Sequence, residues 1–212
     1  MQKKGGLIIN ADDWGMSGIF NDGILELVKR GVVTSVTVMI KEKHLEPEKI
    51  LFFQEISVGL HLDLKRNASL KEAEAQIGKF IRVFGKKPSH LDGHQHCHLS
   101  LNNLPLILKV AKKYNLSVRS RFLEDRKTIQ KEKVKTPDNF ISWHPARSEL
   151  LVERLLDIKN EFVTELVCHP GYFDKNCGYP YNQERKKELK FLKSVPFGRI
   201  LNNFNLKNYY EL

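Results

Sequence analysis

No stretch of this 212-residue chain stays apolar for long. A membrane-spanning helix needs about 20 consecutive apolar residues, so no membrane span is expected. The amino-terminal apolar run, Leu7-Ile8-Ile9, is far shorter than the core of a secretory signal, and a cytoplasmic protein is expected. Cysteine is scarce as well. Cys97, Cys168 and Cys177 are odd in number and show no C-x-x-C spacing, which argues against a disulfide framework and a zinc ribbon and leaves three free thiols. No shift in composition marks a second domain, so residues 1–212 are read as one. The net charge of +10 comes without the aromatic-basic pattern of an RNA-binding surface. Its lysines fall on amphipathic segments such as 109–113 and 185–193, as on solvated helix faces, and nucleic acid is disfavoured as a partner.

What the chain does have is histidine in one place. His90-Leu91-Asp92-Gly93-His94-Gln95-His96-Cys97-His98 holds four of the eight histidines and one aspartate at alternate positions. An extended segment sends alternate side chains to one face, so that face would carry five ligands or proton carriers. Imidazole is the commonest protein ligand for divalent metals, and a carboxylate can bind the ion or fix an imidazole tautomer behind it. The plain alternative is a histidine-rich surface loop.

Around this segment the chain alternates strands and helices. Strands are predicted at 6–10, 35–40, 57–61, the first part of 90–98, 116–119, 140–143, 162–168 and 199–201. Helices are predicted at 19–30, 47–55, 70–84 (stopped by Gly85), 101–114, 148–159 and 183–193. Residues 121–138 are polar and lysine-rich and read as either a mobile loop over a site or a surface excursion. Alternation of this kind implies parallel β-α units, closed into a barrel or left open. Asp12, Asp13, His61, His94 and His169 all fall at carboxyl ends of strands. In both architectures those ends form the ligand face, so residues some 150 positions apart would meet in one site.

A carboxylate with two imidazoles is a common catalytic metal set. Asp13, His61 and His94 could supply it, with Asp12 as proton acceptor and His169, held before Pro170-Gly171, as a proton donor. Taken alone, Asp12-Asp13 suits helix capping and a turn equally well. Asp92, His96 and His98 could support the ligands or face substrate. Trp14, beside the acids, could stack on a sugar ring although tryptophan is more often core, as is Trp143. His44 and His144 read as surface or structural residues.

Asn10-Ala11-Asp12-Asp13-Trp14-Gly15, Gly59-Leu60-His61-Leu62, the His90–His98 segment and Cys168-His169-Pro170 together resemble the YdjC-like carbohydrate deacetylases. The resemblance runs in order from about residue 6 to 173 and departs from the family at Trp14, where phenylalanine is usual, and in the chain being short after His61. It implies a distorted (β/α) TIM-like barrel and metal-dependent removal of an acetyl group from an N-acetylated sugar. It also implies Asp13, His61 and His94 as metal ligands, Asp12 as general base, His169 as general acid, and one Mg2+ or Zn2+ ion. The residues by themselves leave two other readings open: a metal-dependent phosphoesterase, and a basic nucleic-acid-binding protein. A homodimer suits a compact barrel.

Overall fold

The computed structural model describes residues 4–143, 148–179 and 181–212. The order is β1 (Lys4–Trp14), α1 (Gly18–Lys29), β2 (Ser35–Val38), α2 (Pro47–Leu51), β3 (Ser57–Leu62), α3 (Leu70–Phe84) and β4 (His90–Gly93). A 3-10 segment (His94–Leu99) leads into α4 (Leu104–Tyr114), β5 (Ser117–Val118), α5 (Leu123–Lys131), β6 (Asn139–Ser142), α6 (Ser148–Leu156) and β7 (Val163–Cys168). Helices α7 (Asn182–Leu192) and α8 (Val195–Leu201), β8 (Phe204–Leu206) and a 3-10 turn (Tyr209–Glu211) complete it.

The strands form one sheet in the order β5-β4-β3-β2-β1-β7-β6, with β8 beside β1, and every pairing is parallel. The sheet is strongly curled. Arg119, just after β5, donates to Glu165 on β7 over 3.0 Å. Five strand spacings separate β5 from β7, about 24 Å in a flat sheet. Only a sheet rolled into a distorted TIM-like barrel brings those side chains together.

Alternation along the strands builds two different interiors. Leu7, Ile9 and Ala11 on β1, Val36 and Val38 on β2, and Val58, Leu60 and Leu62 on β3 join the apolar core shared with the helices. The intervening residues point into the roll, and many are polar: Asn10, Asp12, Thr37, His61, His90, Asp92 and Glu165, all buried. The floor of the roll is closed by Tyr209, whose ring stacks on His90 with centroids 3.4 Å apart and whose backbone N–H donates to the Ser57 hydroxyl. Gly59 makes room for His90, since a Cβ there would lie 2.4 Å from the imidazole.

Several helices keep the ends the sequence predicts. Helix α3 opens with a capping box between Ser69 and Glu72 and closes on Gly85 at φ 67°, a left-handed turn that glycine takes without a Cβ clash. Three expectations fail. Residues 199–201 end helix α8, and the last strand is 204–206; Ser194 caps the helix through the Phe197 N–H, and Phe197 and Leu201 are buried on one side of it. Residues 121–138 contain helix α5, whose only fully buried side chain is Ile129; one apolar anchor produces no readable 3.6 period. The extended face expected over 90–98 stops at Gly93, because Gln95 and His96 turn left-handed at φ 51° and 57°. Alternate residues beyond 93 therefore do not share one face.

Candidate active site

Asp12 and Asp13 are neighbours on one strand, and neighbours normally point to opposite faces of a sheet. The register of β1 on β2 slips between Ala11 and Trp14, and Asp13 takes φ 70°. That left-handed turn, which costs a non-glycine residue about 1 kcal/mol or more, brings the second carboxylate back to the side of the first. Strained backbone of this kind clusters at functional sites.

Asp13 Oδ1 lies 3.3 Å from His61 Nε2, at the end of β3, and 3.3 Å from His94 Nδ1, just after β4. These three side chains can hold a metal ion, and their N2O donor set suits zinc and is open to other divalent ions. Behind them, Asp92 Oδ1 meets His61 Nδ1 at 2.8 Å. The two residues are opposite each other in the β3–β4 ladder, so register alone delivers the carboxylate that fixes which imidazole nitrogen faces the ion. Burial pushes the His61 pKa down, but the charges of Asp92 and Asp12 and the hydrogen bonds of Asp13 and Asp92 outweigh it and hold the pKa well above that of a free histidine.

Asp12 sits deeper. Its two oxygens accept from Arg119 Nη1 and Nη2 at 2.8 and 2.7 Å, and Oδ1 also accepts from Asn10 Nδ2 and the Thr37 hydroxyl. Burial works against the charge, yet Arg119, and after it His61, holds the carboxyl far below the usual range. His169, after β7, places Nε2 3.8 Å from Asp12 Oδ2. Burial lowers the His169 pKa against the pull of Asp12 and Asp13, so this imidazole is neutral at rest. A second acid-histidine group, Asp12, His61 and Asp92, is close enough to bind an ion, but Arg119 already holds both of its aspartates. That arrangement does not favour the two-metal site of a phosphoesterase.

The cavity over these groups, about 180 Å³, is lined by Asp12, Asp13, His61, His94, His96, His169, Tyr179, Tyr181 and Arg185 among others. Of the residues singled out from sequence, Asp12, Asp13, His61, His94, His96 and His169 meet there, and Asp92 stands directly behind. Two do not. Trp14 is fully buried, with its indole N–H on the Leu45 carbonyl; it packs with the core and offers no sugar platform. His98 is also fully buried and donates through Nε2 to the Arg119 carbonyl, so it props the strand end and faces no substrate. Trp143 is core, and His144 lies outside the described residues.

The structure adds residues that the sequence did not single out. Tyr179 and Tyr181 supply the aromatic walls, near His94 and His169 respectively. Arg119 faces three carboxyl groups, those of Asp12, Asp92 and Glu165. One guanidinium cannot balance three buried charges. Glu165, buried and opposed only in part by Arg119, is pushed up to about 7. A charged residue inside the otherwise uncharged strand Val163–Cys168 was the available signal for it. Arg185 lies on a helix crowded with charges and carried no signal at all.

A pH dependence follows. An unfolded glutamate ionises near 4.5 while folded Glu165 keeps its proton to about 7, so the folded state binds more protons in that window. Its stabilising share is complete below pH 4.5 and is lost as pH rises toward 7, a change of about 3 kcal/mol. Urea unfolding of wild type and Glu165→Gln at pH 5 and pH 8 should therefore show wild type losing more stability at pH 8 than the variant. Parallel pH curves would remove Glu165 as the source.

The YdjC-like protein family profile matches residues 6–71 and 65–203. The chain belongs to the YdjC-like family. Among similar proteins are a carbohydrate deacetylase of Brevibacillus brevis, 29% identical over 93% of this YdjC-like chain and 94% of the relative, and a chitooligosaccharide deacetylase of Proteus mirabilis, 26% identical over 97% and 98%. A crystal structure from Enterococcus faecalis V583, described as a candidate cellobiose-phosphate cleavage protein, superposes with a TM-score of 0.85 at 27% identity and covers 98% of both chains. A T48 deacetylase solved with its substrate shares the fold at a TM-score of 0.58 and 12% identity, covering 99% of this chain and 90% of that one.

Proposed function

We propose that this protein is a metal-dependent carbohydrate N-deacetylase, with the whole chain, 1–212, as its functional unit. The observation that carries the reading is the convergence of Asp13, His61 and His94 within ligand distance of one another, beside a carboxylate-imidazole pair, Asp12 and His169. The names of the relatives point to the same chemistry. Asp13, His61 and His94 would hold one divalent ion, Mg2+ or Zn2+. When bound, such an ion supplies Lewis acidity, which polarises an acetamide carbonyl and acidifies water.

The chain's own residues do the rest. Asp12 is held ionised and in a fixed orientation by Arg119, so it accepts a proton from water without keeping it. His169 is neutral at rest and 3.8 Å from Asp12 Oδ2; it takes up the proton that Asp12 removed from water and, as the imidazolium, delivers it to the departing sugar amine. Acetate and a free amino sugar leave. Tyr179 and Tyr181 offer ring faces to a pyranose, the role the sequence had suggested for Trp14.

No helix among the described residues is long and apolar enough to cross a membrane. The three cysteines are free thiols, which suits a reducing compartment and supports a cytoplasmic place of action.

Metal-stripped protein given N-acetylglucosamine oligosaccharides should release acetate only when Mg2+ or Zn2+ is restored, and His94→Ala should abolish that release at any ion concentration near the wild-type requirement. Acetate release from stripped protein, or from His94→Ala at the wild-type rate, would remove the metal from the reaction. Release of phosphate from sugar phosphates with no acetate release would put phosphoesterase chemistry in its place.

A further inference from the structure

Arg185 is buried to zero exposure on helix α7, and its Nη2 donates to Asp13 Oδ2. The other oxygen, Oδ1, is the one that faces both imidazoles at 3.3 Å. The carboxylate is thus divided: one oxygen toward the two histidines, one taken by the guanidinium. Phe20 lies against the guanidinium at 4.4 Å and Tyr179 lies 5.6 Å from it. Nε and Nη1 find no acceptor among the described residues; Asp13 is the carboxylate that accepts from this buried cation, and buried Glu188 acts on it only through space.

Such a pair is a poor way to stabilise a fold, because desolvating both ions costs about as much as their attraction returns. It has a clear consequence for ligation. A carboxylate with both oxygens free can clasp a divalent ion with two contacts, whereas one whose second oxygen is donated to can offer only one. Two imidazoles and one oxygen leave coordination positions open for water and substrate, as a catalytic site requires.

Resting on the deacetylase reading, we propose that Arg185 is a positioning residue that holds Asp13 to one-oxygen ligation and keeps the remaining metal positions free for the reaction. It touches no reacting atom. Its guanidinium also draws negative charge from Asp13, which leaves a bound ion more electrophilic.

The test uses Co2+ as a visible probe of coordination number, with wild type, R185M and R185K. Methionine keeps an unbranched apolar stem on the side of Phe20 and removes the donor to Oδ2. Wild type should bind Co2+ with the intense visible absorption of a low-coordinate site. R185M should bind Co2+ with weaker absorption, from the added carboxylate contact, and show kcat lowered by about 10- to 100-fold with KM within about twofold of wild type. R185K, which can still reach Oδ2, should restore most of the wild-type spectrum and part of kcat, and this variant stands in if R185M fails to fold. A wild-type spectrum and kcat in R185M would overturn the inference, as would a folded R185M that binds no Co2+, since Arg185 would then merely support Asp13. A wild-type-unlike spectrum in R185K would overturn it too. Wild type that binds no Co2+ and releases no acetate would bring down the deacetylase reading itself, a result distinct from each of these.

Discussion

Asp12→Asn is expected to bind metal as wild type does and to lose turnover by about a thousandfold, the scale of a positioned proton acceptor. The ion would be held by Asp13, His61 and His94, none of which is altered. Asparagine keeps an oxygen where Asn10, Thr37 and Arg119 Nη2 donate to Oδ1. Its amide nitrogen then replaces Oδ2, opposite Arg119 Nη1 and facing His169. Two donors confront each other there, so some stability is lost as well. Thermal melting with and without metal, measured beside kcat, separates the two effects. Undiminished kcat in a variant that melts near wild type would take Asp12 out of the proton path.

Arg119→Met should produce the largest loss of stability. The guanidinium is fully buried and faces Asp12, Asp92 and Glu165 within 2.9 Å. Methionine fills much of the space and takes the guanidinium from three buried carboxyl groups, leaving His61 as the counter-charge beside Asp12 and Asp92. Removing one partner of a buried ion pair costs about 3 to 5 kcal/mol, and three acids share this partner. The deficit should be largest at neutral pH and should shrink in acid as those groups take up protons. Urea unfolding at pH 5 and pH 8 measures it. A variant within about 1 kcal/mol of wild type at pH 8 would mean that the acids find other partners or water. Deacetylation should fall with stability, because Asp12 loses both of its guanidinium bonds.

Both effects sit on residues whose importance the sequence conveys unequally. Asp12 stands in a local motif, two acids at the end of an apolar strand, and could be read directly. Arg119 follows a short strand among many basic residues, and nothing local distinguishes it from Arg121. The same holds for Arg185 beside Lys186 and Lys187. The expected alternation across 90–98 failed for a comparable reason: two left-handed residues, Gln95 and His96, redirect the chain. Neither is glycine or asparagine, so no residue type announced the turn.

By itself the sequence determined the alternating β-α order, most helix ends and the strand-end placement of Asp13, His61, His94 and His169. These rest on local patterns: apolar periodicity, capping residues, and polar side chains at the ends of buried runs. Only the tertiary structure decided that Trp14 is core, that His98 supports a strand, and that Arg119 and Arg185 each take hold of an active-site aspartate. Those pairings span 107 and 172 positions of chain. The first exists because the sheet rolls until β5 approaches β1 and β7, and the roll is a property of all the strands together; the second exists because β7 pairs directly with β1, which brings α7 to the end of that strand.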